Sequence, residues 1–161
     1  MKKHITKRPK GFALALGAPG LLFVIIPVIF AIFVPSMMGY VKKSKTSSVN
    51  ATASTVMKAA NSALTELDED DFKLSGDYII SSDESKNVNV PFDVDEFYEK
   101  AEYYYYDMSD MDYFIIVEDG CCSDVAVIDD SGYVGTYGSL FGYNSGKKFN
   151  ELYEEALEYI Y

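Results

Sequence analysis

The N-terminal part of the chain contains one long apolar run. Residues 11–41 carry no charged side chain. Their most apolar portion, residues 12–34, would span about 35 Å as a helix, which is enough for a bilayer core of ~30 Å. A secretory signal has a shorter apolar region followed by small residues, whereas bulky residues follow this one. The pattern therefore predicts a retained membrane helix rather than a cleaved signal.

Three prolines interrupt this apolar run, at Pro19, Pro27 and Pro35. Each removes a backbone donor and favours a kink. Membrane helices tolerate such positions when neighbouring groups satisfy the freed carbonyls. The prolines are therefore compatible with a membrane helix.

Apolar residues in the next segment, residues 36–67, recur at steps of three and four, which predicts one face of an amphipathic helix. The segment contains no proline, so we expect the membrane helix to continue into it as one rod of more than fifty residues. The predicted buried face consists of Val49, Ala53, Val56, Met57, Ala60, Ala63, Leu64 and Leu67.

The remaining residues predict a small α+β head with an antiparallel sheet. The acidic run at 68–71 should end the long helix, and Asp119-Gly120 is a strong hairpin turn pair. Asp93 can cap a helix. The predicted elements are short strands at 77–82 and 87–91, a helix at 93–108, three strands within 112–138, and a helix at 149–161. The fold class is α+β, with a long N-terminal helix packed on a small sheet that carries accessory helices.

Charge is distributed very unevenly along the chain. Five of the fourteen basic residues lie in the first ten positions, and the first acidic residue is Glu66. From there on, 25 acidic residues face five basic ones. Such a head repels phosphate backbones, so we expect no nucleic acid partner. The basic N-terminus predicts a cytoplasmic tail and an exported head, although Lys42, Lys43 and Lys45 on the other flank weaken that prediction.

Candidate catalytic residues are lacking in the head. His4 is the only histidine, so the sequence predicts neither Ser-His nor Cys-His catalysis there, and we expect no enzyme and no cofactor. The acidic runs at 68–71 and 107–112 do not match a calcium-binding loop, so no metal site is predicted.

Cys121 and Cys122 are the only cysteines and form a candidate redox pair. They could form a vicinal disulfide, link two subunits, or remain unpaired thiols. Adjacent strand residues point to opposite faces of a sheet, which predicts that one is buried and one exposed.

Four consecutive tyrosines occupy positions 103–106. Helical geometry predicts that Tyr104 and Tyr105 face inward, while Tyr103 and Tyr106 are candidates for binding a carbohydrate or a surface. Asn50 begins a three-residue glycosylation sequon, a pattern that also arises by chance.

The N-terminal features together resemble those of type IV pilins and pseudopilins. The resemblance rests on a basic leader ending in Gly11-Phe12, the apolar run, Pro35, the sequence MMGYVKKSK and the Ala/Ser-rich helix that follows. It implies that a prepilin peptidase cuts between Gly11 and Phe12 and that the Phe12 amine is methylated. Residues 112–138 are also similar to the sheet region of pilin-like proteins from Gram-positive gut anaerobes.

In that family the helix packs into a filament core and the sheet covers its C-terminal half. The resemblance implies a leader at 1–11, a filament-core or membrane half at 12–35, an amphipathic half at 36–67 and a head at 68–161. The family usually carries a Glu four residues after the Phe, where this chain has Leu16, which favours a minor or tip subunit. The implied assembly residues are Leu21, Leu22, Ile25, Ile29, Phe33 and Pro35.

We therefore expect a structural subunit of a type IV pilus or pseudopilus, with a role in secretion or in adhesion at the cell surface. Its expected partners are other pilin subunits, the prepilin peptidase and the membrane, which it crosses once with its head outside. The alternative is a membrane-anchored extracytoplasmic binding module with an acidic, Tyr-rich head.

Overall fold

The computed structural model describes residues 19–142 and 146–161, with the backbone alone for residues 19–24 and 36. Its first element is the helix α1, Pro19–Glu69. The residues from Lys43 to Tyr161 form one compact unit, whose boundary with the preceding part of the chain lies within α1. The predicted long helix is therefore confirmed from Pro19 onward, and so is its end in the acidic run.

The compact unit contains an antiparallel sheet, as predicted, with four strands rather than the five expected. Its strands are β1 (Asp77–Ser81), β2 (Asp112–Glu118), β3 (Cys121–Ile128) and β4 (Val134–Gly138), arranged in chain order. Asp119 and Gly120 join β2 to β3, both with positive φ, at 47° and 82°. A two-residue turn of that geometry matches the twist of a hairpin, which confirms the predicted turn.

The predicted strand at 87–91 is wrong. Val88 makes only an isolated bridge with Ile79, after a 3₁₀ turn at Glu84–Lys86. Asn89 has a φ of 55°, a left-handed conformation that cannot continue an extended strand. The side chain of Asn87 accepts the Ser81 backbone N–H at 2.7 Å, so a side chain covers this part of the β1 edge.

The helix predicted at 93–108 is shorter in the structure. The helix α2 spans Val94–Tyr104, and the Asp93 side chain caps it by accepting the Asp95 N–H. Tyr105 adopts φ −148° and ends the helix, and Tyr106–Asp110 forms a 3₁₀ turn. Tyr105 is partly buried, as predicted, but Tyr104 is exposed rather than inward, and its hydroxyl reaches Glu66 at the end of α1.

Helices cover both faces of the sheet. The last helix, α3 (Phe149–Ile160), packs on one face, where Phe114, Leu152 and Ala156 are buried. The part of α1 after Lys43 and the helix α2 pack on the other face, where Tyr78, Phe97 and Ile115 are buried. The predicted face of α1 is confirmed, since its members are buried except for the partly buried Met57.

Candidate functional site

The N-terminal half of α1 exposes large apolar side chains on all sides. Phe30, Ile32 and Met38 are 62%, 66% and 68% exposed. From Ile25 onward, α1 is long and apolar enough to cross a membrane, with a mean hydropathy of 1.8 over its best window and no burial there. A helix that is apolar all round is typically covered by lipid or by other helices. We call residues 25–41 the apolar segment.

Four of the predicted assembly residues, Ile25, Ile29, Phe33 and Pro35, are exposed in this segment. Leu21 and Leu22 belong to α1, but their side chains are not described. The predicted processing residues Gly11 and Phe12 lie outside the described residues, as does His4.

Pro27 and Pro35 lie inside α1, and the helix continues through both of them. Because proline has no N–H, neither can donate to the carbonyl four residues earlier, on Phe23 and Ala31. Nonpolar surroundings make such an unpaired carbonyl costly unless neighbouring groups or water reach it. The two prolines therefore each cost α1 one backbone hydrogen bond in this region.

The C-terminal half of α1 is attached to the sheet by a very close approach at β4. A Cβ atom added to Gly135 would lie 2.3 Å from the carbonyl carbon and oxygen of Val49. The Thr136 N–H, one residue on, donates to Asn50 Oδ1 at 2.7 Å. The helix backbone therefore lies directly against β4, and Asn50 satisfies an edge donor of that strand.

A second asparagine attaches α1 to β3. The Cys122 N–H donates to Asn61 Oδ1 at 2.9 Å, and Asn61 Nδ2 donates to the Cys122 carbonyl at 3.5 Å. The register of β3 against β2 shifts between Ile116 and Val117, beside this point. The Asn61 amide thus takes the place of a neighbouring strand where β4 no longer pairs with β3.

Sequence analysis missed the roles of Asn50, Asn61 and Gly135. The available signal was the spacing of the two asparagines, since eleven residues are close to three helical turns and place both on one side of α1. Asparagine is unfavourable inside helices, so two on one side indicate specific partners. The burial of Asn50 also removes the glycosylation sequon from the surface, because Asn50 is fully inaccessible.

Both cysteines are free thiols, and they lie on opposite faces of β3, as predicted. Cys121 is exposed, whereas Cys122 is buried beneath α1 and is 6% exposed. Burial raises the pKa of the Cys122 thiol well above its usual value. Cys122 is therefore a protonated core residue, and Cys121 is the thiol available to reagents.

Carboxylates and tyrosines meet where α1 ends beside α2. Lys100 Nζ lies 2.8 Å from Asp70 Oδ2 and 3.5 Å from Glu66 Oε2. The Tyr104 hydroxyl donates to Glu66, which raises the pKa of that phenol, and Asp70 raises the pKa of Lys100. Tyr103 packs edge-on against Tyr104. We call Glu66, Glu69, Asp70, Tyr103 and Tyr104 the acid–tyrosine patch.

An open groove of about 630 Å³ lies between the loop after β1 and the start of α3. Lys86 in this groove pairs with Asp83 at 3.3 Å, and its ammonium lies 5.9 Å from the centre of the Tyr153 ring. The Tyr153 hydroxyl donates to the Lys86 carbonyl at 2.7 Å. These contacts attach the loop to α3 and give Lys86 a structural role.

Metal-binding geometry is absent from the part of the chain that the structure describes, where no group of three or more His, Cys, Asp or Glu side chains could hold an ion. Comparison of the chain with models of protein families, with curated proteins and with solved structures finds no match.

Proposed function

We propose that the chain is a structural subunit of a type IV pilus or pseudopilus, anchored and assembled through the apolar segment of α1. One observation carries the proposal: a single helix has one half exposed and apolar and the other half packed on a four-stranded antiparallel sheet. The exposed half requires cover from lipid or from other helices. The similarity of the sequence around Gly11 and Phe12 to a prepilin processing site supports the same function.

Packing between apolar segments is the assembly step in this proposal. Ile25, Ile29 and Phe33 recur every four residues, so they line one side of the helix and can interdigitate with a neighbouring copy. The membrane stores the subunit before assembly, and the filament replaces lipid with protein around the same side chains.

Mass spectrometry of the chain purified from a host with an active prepilin peptidase tests the proposal. The expected product begins at Phe12 with one added methyl group. Gly11→Val should block cleavage, because a branched side chain then occupies the position before the cut. Gly17→Val is the matched control and should leave processing unchanged.

Recovery of an intact Met1 in that host, together with a chain that remains monomeric in the membrane, would contradict the proposal. Those results would favour a membrane-anchored binding module instead. Two exposed tyrosines of the head, Tyr103 and Tyr106, favour that alternative, since exposed aromatic side chains are common in binding surfaces.

A further inference from the structure

Two exposed lysines near the start of the compact unit have no acidic partner within the described part of the chain. Lys43 and Lys45 lie on α1, and neither forms an ion pair with any described residue. No acidic residue precedes Glu66, which lies about 30 Å further along the helix than Lys45. We call Lys43 and Lys45 the lysine pair.

The acid–tyrosine patch has the complementary character. Two of its three carboxylates, those of Glu66 and Asp70, share the ammonium group of Lys100, and the third is that of Glu69. It lies at the C-terminal end of α1, where the helix dipole adds negative potential and the last turn contains no basic residue. Tyr103 is 84% exposed, so it offers an aromatic face as well. Carboxylates beside an exposed aromatic ring attract an ammonium group by charge and by cation–π contact.

The lysine pair cannot reach the patch of its own chain. No proline or glycine interrupts α1 between Lys43 and Glu69, so the helix keeps the two sites about 30–35 Å apart. We propose that the lysine pair of one copy docks on the acid–tyrosine patch of a second copy, displaced by about that distance along the helix axis. The inference rests on the proposed function, since a filament can stack copies along the helix axis.

The proposed contact would offset the electrostatic repulsion between neighbouring heads. From Glu66 onward the chain has 25 acidic side chains against five basic ones, so two heads brought together repel each other. The lysine pair lies near the middle of α1 and the patch at its C-terminal end, so one helix carries opposite charges at two levels. Such a head-to-tail contact can repeat from copy to copy without closing on itself.

Carbodiimide coupling of the full-length chain in assembled filaments tests the contact directly, because copies anchored in one bilayer share one depth and cannot be displaced by about 30 Å. We mix copies labelled with ¹⁴N and ¹⁵N, join amines to adjacent carboxylates, and identify the peptides by mass spectrometry. The expected result is mixed-isotope amides that join Lys43 or Lys45 to Glu66, Glu69 or Asp70. Coupling of these lysines only to other carboxylates would overturn the inference.

Charge reversal tests whether the contact contributes to association. The readout is energy transfer between copies labelled at the exposed thiol of Cys121, which does not depend on the lysines themselves. Lys43→Glu with Lys45→Glu should weaken association by about tenfold, and so should Glu69→Lys with Asp70→Lys. Combining all four substitutions should restore it to within about threefold.

Lys58→Glu is the matched control, because Lys58 is another exposed lysine of α1 and should have no effect. Failure of the four-residue swap to restore association, or an equal loss in the Lys58 variant, would overturn the inference. A photo-crosslinker at Phe30 separates the two proposals. Phe30 crosslinks between copies without the lysine contact would refute only the inference, and the lysine contact without Phe30 crosslinks would refute only the proposed function.

Discussion

The apolar surfaces of the two halves of α1 differ in whether the chain itself covers them. In the apolar segment the side chains are large and exposed, such as Phe30, Ile32 and Phe33. In the half that lies on the sheet they are small and buried, with Ala53, Ala60 and Ala63 fully inaccessible. The difference reflects where the partner surface comes from. The chain supplies its own sheet for one half and leaves the other half to its surroundings.

The free energy of removing apolar side chains from water explains why the apolar segment requires cover by lipid or protein. It has twelve large apolar side chains that are exposed. Removing them from water is worth on the order of 10 kcal/mol, which is comparable to the whole stability of a domain. In the other half, the missing side chain of Gly135 lets the helix backbone contact β4, and two asparagines set its position.

A buried charge should have the largest and most different effects in the two halves of α1. Val56→Asp places a carboxylate at a fully inaccessible position between α1 and the sheet, so we expect a loss of at least about 4 kcal/mol and an unfolded head. Ile32→Asp, at an exposed position of the apolar segment, should leave the head folded within about 0.5 kcal/mol. Near-ultraviolet circular dichroism of the tyrosines in detergent measures both.

The same two variants should exchange their effects in a membrane assay. Ile32 lies toward the end of the predicted membrane helix, so a carboxylate there costs less than the about 3 kcal/mol of the helix centre, and that variant should be partly lost from the membrane fraction. The Val56 variant should stay there. Equal loss of head structure in both variants would contradict the distinction between the halves.

Much of the fold could be predicted from the sequence, because its strongest signals are local. The helical period of Val49, Ala53 and Val56 and the turn at Asp119-Gly120 are set by neighbouring residues. The prediction failed at 87–91, where left-handed Asn89 ends the extended backbone, and at Tyr104, whose exposed side chain donates to Glu66 at the end of α1. Those outcomes depend on tertiary contacts.

The candidate site was predictable only in part, for a similar reason. An exposed apolar segment follows directly from a run of uncharged residues, so Ile25, Ile29 and Phe33 could be proposed beforehand. The acid–tyrosine patch joins the end of α1 to α2, residues more than thirty positions apart in the chain. Nothing in the local pattern indicates that pairing.

Substituting one glycine in, or in contact with, each half of α1 should give a smaller difference in stability between the two halves. Gly135→Ala puts a methyl group 2.3 Å from the Val49 backbone, which must move, so we expect a loss of about 2–3 kcal/mol. Gly39→Ala adds the same methyl group in the apolar segment, where nothing lies within 4 Å. That variant should gain helix stability of roughly 0.5–1 kcal/mol. Thermal unfolding of the head and helix content by far-ultraviolet circular dichroism test these two expectations.

The smallest expected effect concerns the asparagine that joins α1 to β4. Asn50→Ala leaves the buried Thr136 N–H without its acceptor, so we expect a loss of about 1–2 kcal/mol in urea unfolding. Thr55→Ala is the control, since that exposed hydroxyl donates only to Ala51 in its own helix, and it should change stability by less than about 0.5 kcal/mol. Hydrogen exchange gives a local readout, because the freed Thr136 amide should exchange faster only in the Asn50 variant. An unchanged rate at Thr136 would mean that the Asn50 contact does not protect this strand edge.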